Sequence, residues 1–496
     1  MAGRTLAITL LSLAAWAIWL GWVNHDPSGP KPPPAHSPPP PSMEHAHASH
    51  ATQTENVASV TPAQIANYGY CEEDDANVER TPRPPLSSLL SLDASELMDQ
   101  VKNAYRNHTG SASLKQALTS FFASPSPEAV QRLAQSPDRV QDGFDYAAAA
   151  AIVLGTQAMG HHDYDVLDTM AKLATRLAPS QASAQVLAAL AARQRGDTAR
   201  ERQALKRALR EDPSEPTIAL ALGEALANTA DLHGAISALS NYLEQHPEDV
   251  QAGQLRQRLR LQMQLQRDME SLMGGGITLI YPAELVSRDQ ARQTHEKLLD
   301  ALRDAALFVD MPRRAELTAV IYRDRADLIA STCVPRWTDG VFDGILRVHA
   351  KTVDNEERGA QVIRHEVFHA QLRSLPLDAP HWFHEGGAQY FAHEMGPSHL
   401  RSFRFMVKHR AHIPIDSMDG SFLVIEGNDD ARLAYHQSLA MVQMLIARDG
   451  PQALAKAVAY LRQGGTADKL WAHMMGSQGQ SADLLAHLRT TISRTR

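Results

Sequence analysis

The sequence predicts a multi-domain, mainly α protein in which an α-helical solenoid precedes an α+β domain. Three observations carry that prediction. Pro179, Pro213 and Pro247 recur every 34 residues inside a stretch, about Ser88 to Gln266, rich in Ala, Leu, Gln and Arg. β-Branched runs follow it, at Ile277–Tyr281 and Leu317–Tyr322, each long enough for a strand. Beyond them His365-Glu366-Val367-Phe368-His369 opens a helical pattern. At 496 residues the chain has room for two or three domains with their own cores. A net charge of −8 without a long basic run argues against a nucleic-acid binder.

The first segment, 1–23, reads as a signal anchor. After Arg4, the run Leu6 to Val23 is eighteen residues without a charge, just enough to span a bilayer. Trp16, Trp19 and Trp22 crowd its far end, as at a membrane interface. A cleaved signal peptide is the competing reading, but no small-x-small cleavage pattern follows. With Arg4 cytoplasmic by the positive-inside bias, the body is expected to be extracytoplasmic, and periplasmic if the source is bacterial. Residues 24–87 form a linker whose prolines, Pro30 to Pro34 and Pro38 to Pro41, favour extended geometry. Its His45, His47 and His50 offer weak metal capture or, more simply, a polar tether. Cys71 and Cys333 are too few for a disulfide framework or a thiolate metal site. Asn107-His108-Thr109 is a glycosylation sequon that depends on the host.

Residues 88–147 read as a helical lead-in and 148–265 as repeats, with units at 148–181, 182–215 and 216–249. Gly155 and Gly223 share a phase, Ala189 takes that phase in the middle unit, and Gly196-Asp197 marks a turn between helices. A 34-residue period closed by Pro is similar to the tetratricopeptide repeat. That resemblance implies stacked helix pairs with a curved face, either a groove for a protein partner or a spacer. The many Ala residues imply a shallow groove.

Gly274-Gly275-Gly276 is expected as a flexible break before the last domain, 277–496. The strand Ile277–Tyr281, a helix from Ser287 to Leu307 and the strand Leu317–Tyr322 follow. Trp337 to Gly344 reads as a turn into a third strand, Ile345 to His349, just ahead of the His365 helix. His349 reads as an ordinary strand histidine.

On a helix, residues four apart share a face, so His365 and His369 can address one ion with Glu366 beside it. Two histidines do not complete a catalytic zinc site, which takes a third protein ligand and an open position. Glu385, sixteen residues after His369 and past the turn-rich Pro376 to Pro380, can return on a second helix as that ligand. His381 and His384 flank it, and His384 diverges from Glu385 by about 100° on a helix.

His365-Glu366-x-x-His369 followed by Trp382-x-x-Glu385-Gly386-x-Ala388 looks like the gluzincin metallopeptidases, in particular the peptidase MA-like branch. The metzincin pattern fails because Leu372 and Leu375 stand where Gly and His belong. The resemblance implies one Zn2+ per chain on His365, His369 and Glu385, Glu366 as general base, and a peptide or protein substrate. It also implies an edge strand ahead of the metal helix that aligns an extended substrate, a role expected here of Ile345–His349. Gly386-Gly387-Ala388-Gln389 departs from it at Gln389, where many relatives carry an acidic residue, leaving the orienting acceptor of the histidines unassigned. Tyr435, in Ala434-Tyr435-His436-Gln437-Ser438, is the candidate oxyanion donor, with His436 second.

The expected function is therefore a membrane-anchored, outward-facing zinc peptidase whose repeats recruit substrate. Two other readings stand beside it. One is an inactive repeat scaffold with a structural zinc site, which has no need of Glu366. The other is a metal-handling envelope protein, which needs metal on residues 45–50 as well.

Overall fold

The computed structural model describes residues 86–106, 111–332, 334, 338–375, 377–418, 428–476 and 481–494. The anchor, the linker, both cysteines and the sequon lie outside them. Among the described residues, no helix is long and apolar enough to cross a membrane.

Helices α1 (Leu86–Arg106), α2 (Ala112–Ala123) and α3 (Pro127–Ala134) and a two-residue hairpin of β1 (Val140–Gln141) and β2 (Phe144–Asp145) lead into the helix pairs. These are α4 (Tyr146–Gly160) with α5 (Tyr164–Leu177), α6 (Ala182–Gln194) with α7 (Thr198–Glu211), and α8 (Pro216–Ala227) with α9 (Leu232–Gln245). α10 (Val250–Leu265) ends the series. The prolines every 34 residues sit in the turns between pairs. A second signal repeats with them. Asp163, Asp197 and Asp231 each cap the second helix of a pair by accepting a backbone N–H three residues on. Gly155 and Gly223 each face a leucine, though on helices in different positions relative to their own. A Cβ on Gly155 would stand 2.8 Å from Leu187, and one on Gly223 2.7 Å from Leu239, so the helices approach too closely for a side chain.

A five-stranded mixed sheet follows: β3 (Glu270–Gly274), β4 (Ile277–Tyr281), β5 (Leu317–Tyr322), β6 (Gly340–Phe342) and β7 (Leu346–His349), in the order β3-β4-β5-β7-β6. β4, β5 and β7 run parallel, and the two outer strands are antiparallel to their neighbours. β5 is buried along its whole length, as a central strand covered on both faces must be. α11 (Arg288–Phe308), started by a capping box between Ser287 and Gln290, covers one face. α12 (Arg325–Thr332) connects β5 towards β6.

Two expectations are corrected here. Gly275 and Gly276, with φ of +56° and +86°, form the turn of the β3–β4 hairpin, so the expected break is part of the sheet. The edge strand is β6, within the segment read as a turn, while β7 is flanked on both sides. Three residues are too short for alternation to reveal, and pairing with β7 alone makes them a strand.

The rest is helical: α13 (Ala350–Asp354), α14 (Glu356–Leu372), α15 (His381–Phe391), α16 (Pro397–His409), α17 (Asn428–Asp449), α18 (Ala453–Arg462), α19 (Ala467–Met475) and α20 (Ser481–Arg494). One apolar core joins the sheet to α11, α14, α15 and α17 through Leu279, Leu298, Phe368, Trp382 and Met441.

Among the described residues, the helix pairs meet this C-terminal region at several places. Arg202 of α7 pairs with Glu316 at 2.7 Å. Gly196 (φ +69°) lies so near Ser374 that a Cβ would fall 2.0 Å from its carbonyl oxygen. Gly344 (φ +115°) lies equally near Asn228 Oδ1.

Candidate metal centre and active site

α14 carries His365 and His369 one turn apart, their ring centroids 4.9 Å from each other. α15 returns after the loop and brings Glu385 to them. Glu385 Oε2 stands 3.5 Å from His365 Nε2 and 3.7 Å from His369 Nε2. One ligand atom from each of the three residues lies within 4.8 Å of the others. The glycine pair after Glu385 lets this helix seat so deeply. A Cβ on Gly386 would fall 2.2 Å from the Ser438 carbonyl oxygen of α17, and one on Gly387 would fall 2.4 Å from the Phe368 ring of α14. The motif's glycines therefore set the depth at which Glu385 sits.

Glu366 is buried beside the group and faces the edge strand. Gly340 of β6 crosses it so closely that a Cβ would meet Val362 at 2.4 Å and Glu366 Cγ at 3.3 Å. A cavity of about 650 Å3 opens there, walled by Gly340, Val341 and Phe342 on one side and by the metal-site residues and Tyr435 on the other.

The sequence left the orienting acceptor unassigned, and the structure places Glu394 in that position. Its Oε1 lies 3.0 Å from His365 Nδ1 and accepts that hydrogen, so Nε2 faces the other donors. Glu394 comes from beyond the end of α15, where His393 adopts φ +55° and the Glu394 N–H returns to the Gln389 carbonyl. The helix ends between Glu385 and Glu394, so helical spacing does not relate them. Gln389 has a different task. Its amide donates to the carbonyls of Glu385 and Tyr435 and its oxygen accepts from His399, tying α15 to α17 and α16.

Charge follows from these contacts. Burial works against ionisation of Glu385, but His369 and His365 outweigh it and hold the carboxylate well below its usual range. Burial likewise opposes a charge on His365, and the Glu394 carboxylate overcomes it, holding the imidazole well above its usual value. His369 is lowered by burial, which outweighs the neighbouring Glu385 carboxylate. Burial pushes Glu366 up to about 7, with Glu385 and Glu394 adding to the rise and His365 opposing it. Tyr435 is raised by burial and then by Glu385 and Glu366, so its hydroxyl keeps its proton.

The other histidines separate clearly. His381 Nε2 is 3.5 Å from Glu385 Oε1, on the oxygen turned away from His365 and His369. His384 lies outside the donor group, its ring 5.9 Å from that of His369, and burial lowers it to about 3. His436 hydrogen-bonds Ser402 at 2.7 Å and is also lowered by burial to about 3. His349 bonds Thr352 at 3.1 Å and is no part of the cavity.

Two imidazole nitrogens and one carboxylate oxygen, converging and largely buried, with one imidazole oriented from behind, are the donor set of a catalytic zinc site. Such a group on a helix beside an edge strand, with a carboxylate at hand, defines a metal-dependent hydrolase of the zincin class. Residues 308–483 match the model of the peptidase MA superfamily, and this part of the chain is a peptidase MA superfamily domain, a metallopeptidase whose His-His-Glu group suits zinc. No curated protein matches the chain.

Proposed function

We propose that the protein is a membrane-anchored, outward-facing peptidase that holds one Zn2+ on His365, His369 and Glu385. The observation that carries this reading is the convergence of those three donors beside Glu366 in a cavity walled by an edge strand. Bound there, zinc supplies a Lewis acid that polarises a peptide carbonyl and acidifies water. Glu366, buried beside the three donors, is placed to accept a proton and pass it to the leaving amine. Tyr435 keeps its phenolic hydrogen and serves as donor to the developing oxyanion. The outer edge of β6 aligns the substrate backbone by adding it as a further strand. Residues 6–23 form the anchor, and the helix pairs, with their tetratricopeptide-like period, recruit substrate or a protein partner. Glu366 favours catalysis over a purely structural zinc site, because a structural site requires no buried carboxylate next to its ligands.

The test is zinc content and peptide-library cleavage by the full-length protein beside Glu366→Gln. Zinc near one per chain in both, with cleavage lost in the variant, is the expected result. Absence of zinc from both overturns the site assignment. Zinc in both with cleavage in neither returns the scaffold reading. Protease accessibility of the body in intact cells tests the orientation separately.

A further inference from the structure

The catalytic cavity has a neighbour. A second cavity, about 840 Å3, lies between the helix pairs and the sheet, and Phe342 and Arg373 line both. We infer that this groove receives the part of an extended polypeptide substrate that lies beyond the edge strand, so that the enzyme cleaves long chains at a distance from one end. The inference rests on the peptidase reading and adds the path of the substrate.

The two cavities adjoin at Phe342 and Arg373. β6 ends at Phe342, whose carbonyl accepts from Arg373 Nη1 at 3.1 Å, so a chain paired with it runs out of strand there. The strand then turns at Gly344 against Asn228 of the helix pairs, so the chain must leave the sheet where the groove begins. The groove walls suit main chain better than an ionic small molecule. Their charges balance in sign, and six of them pair directly, Arg193 with Glu201 at 2.7 Å, Arg202 with Glu316 at 2.7 Å and Lys206 with Asp231 at 3.3 Å. Such walls offer hydrogen-bonding groups without a strong field of one sign. Thr278 presents its side chain from β4 into the same space, opposite α7 and α8. The junction thus has a function beyond attachment: the helix pairs form the far wall of the substrate path.

The experiment compares peptides that share one scissile sequence, short or extended by several residues on either side, using the full-length protein. Extension on one side is expected to raise kcat/KM by about tenfold or more through added contacts in the groove. Thr278→Trp, which fills the groove, and Lys206→Glu, which breaks a wall pair, should remove that gain and leave the short peptide unaffected. The short peptide reports folding of each variant. Fluorescence anisotropy of the extended peptide on Glu366→Gln protein, with and without Thr278→Trp, reads binding without turnover and should weaken to the same degree. Equal rates on short and extended peptides, or a gain that survives both variants, would overturn the assignment. Failure of the wild type to cleave any peptide sinks the peptidase reading itself, and the groove assignment with it.

Discussion

His365 Nδ1 and Glu394 Oε1 stand 3.0 Å apart, joining the metal-site helix to a residue past the end of the helix that supplies Glu385. This contact fixes which imidazole nitrogen faces the metal and sets the charge of the metal-free site. Removing it should loosen zinc without unfolding the protein. Glu394→Gln is expected to weaken zinc binding by about 10- to 100-fold, the usual effect of losing an orienting partner. Competition against a chromogenic chelator measures it, and an unchanged affinity would remove Glu394 from the site.

The same contact predicts a proton release. In the zinc-free protein His365 is held well above the ordinary imidazole value, so at pH 7 it carries a proton that zinc must expel. Affinity should therefore fall as pH is lowered. Calorimetry in buffers of different ionisation enthalpy should find about one proton released from His365 per zinc at pH 7, with part of another from Glu366. Glu394→Gln should release less, since the carboxylate that raises His365 is gone.

Glu366 and Tyr435 should separate by kinetics. Glu366→Gln is expected to lower kcat by about two to four orders of magnitude with zinc retained, the range for loss of a general base. Tyr435→Phe should lower kcat by about 10²- to 10³-fold with little change in KM, as loss of an oxyanion donor does. A Tyr435→Phe effect confined to KM would make it a substrate-packing residue.

Gly386 should tolerate no side chain. A Cβ there meets backbone of α17, which does not yield as a flexible side chain would. Gly386→Ala is expected to destabilise by about 1–3 kcal/mol, typical of overpacking. It should also lower zinc affinity, because α15 must shift Glu385. Thermal unfolding and zinc titration of the same preparation test both.

Asp327 gives a pH signature away from the metal. Burial, then Asp324, raises its carboxyl to about 6, above its ordinary 3.8. A raised carboxyl costs stability once ionised, with no cost below about pH 4 and the full cost above about pH 6. Asp327→Asn should therefore gain stability over the wild type as pH rises through that window. Denaturant midpoints at pH 4 and pH 7 compare the two, and a constant difference would refute the assignment.

The features legible in the sequence were those with a local period. Residues four apart on one helix put His365 and His369 on one face, and Glu385 followed from a loop and a second helix. The 34-residue period gave the helix pairs, because capping aspartates and turn prolines act on their own neighbours. Strands Ile277–Tyr281 and Leu317–Tyr322 were equally local in their pattern. Gly340–Phe342 was not, since three residues become a strand only through a partner.

By itself the sequence determined the metal donors, the carboxylate beside them and the repeat, all encoded by spacing within or between neighbouring helices. Only the tertiary structure decided that Glu394 orients His365, that β6 is the edge beside the site, and that the helix pairs wall the second cavity. Each of these is a contact between segments whose approach depends on the packing of the whole sheet and its helices. No backbone periodicity records such an approach, and the glycines that permit it, Gly196, Gly340, Gly344 and Gly386, acquire their meaning from what stands opposite them.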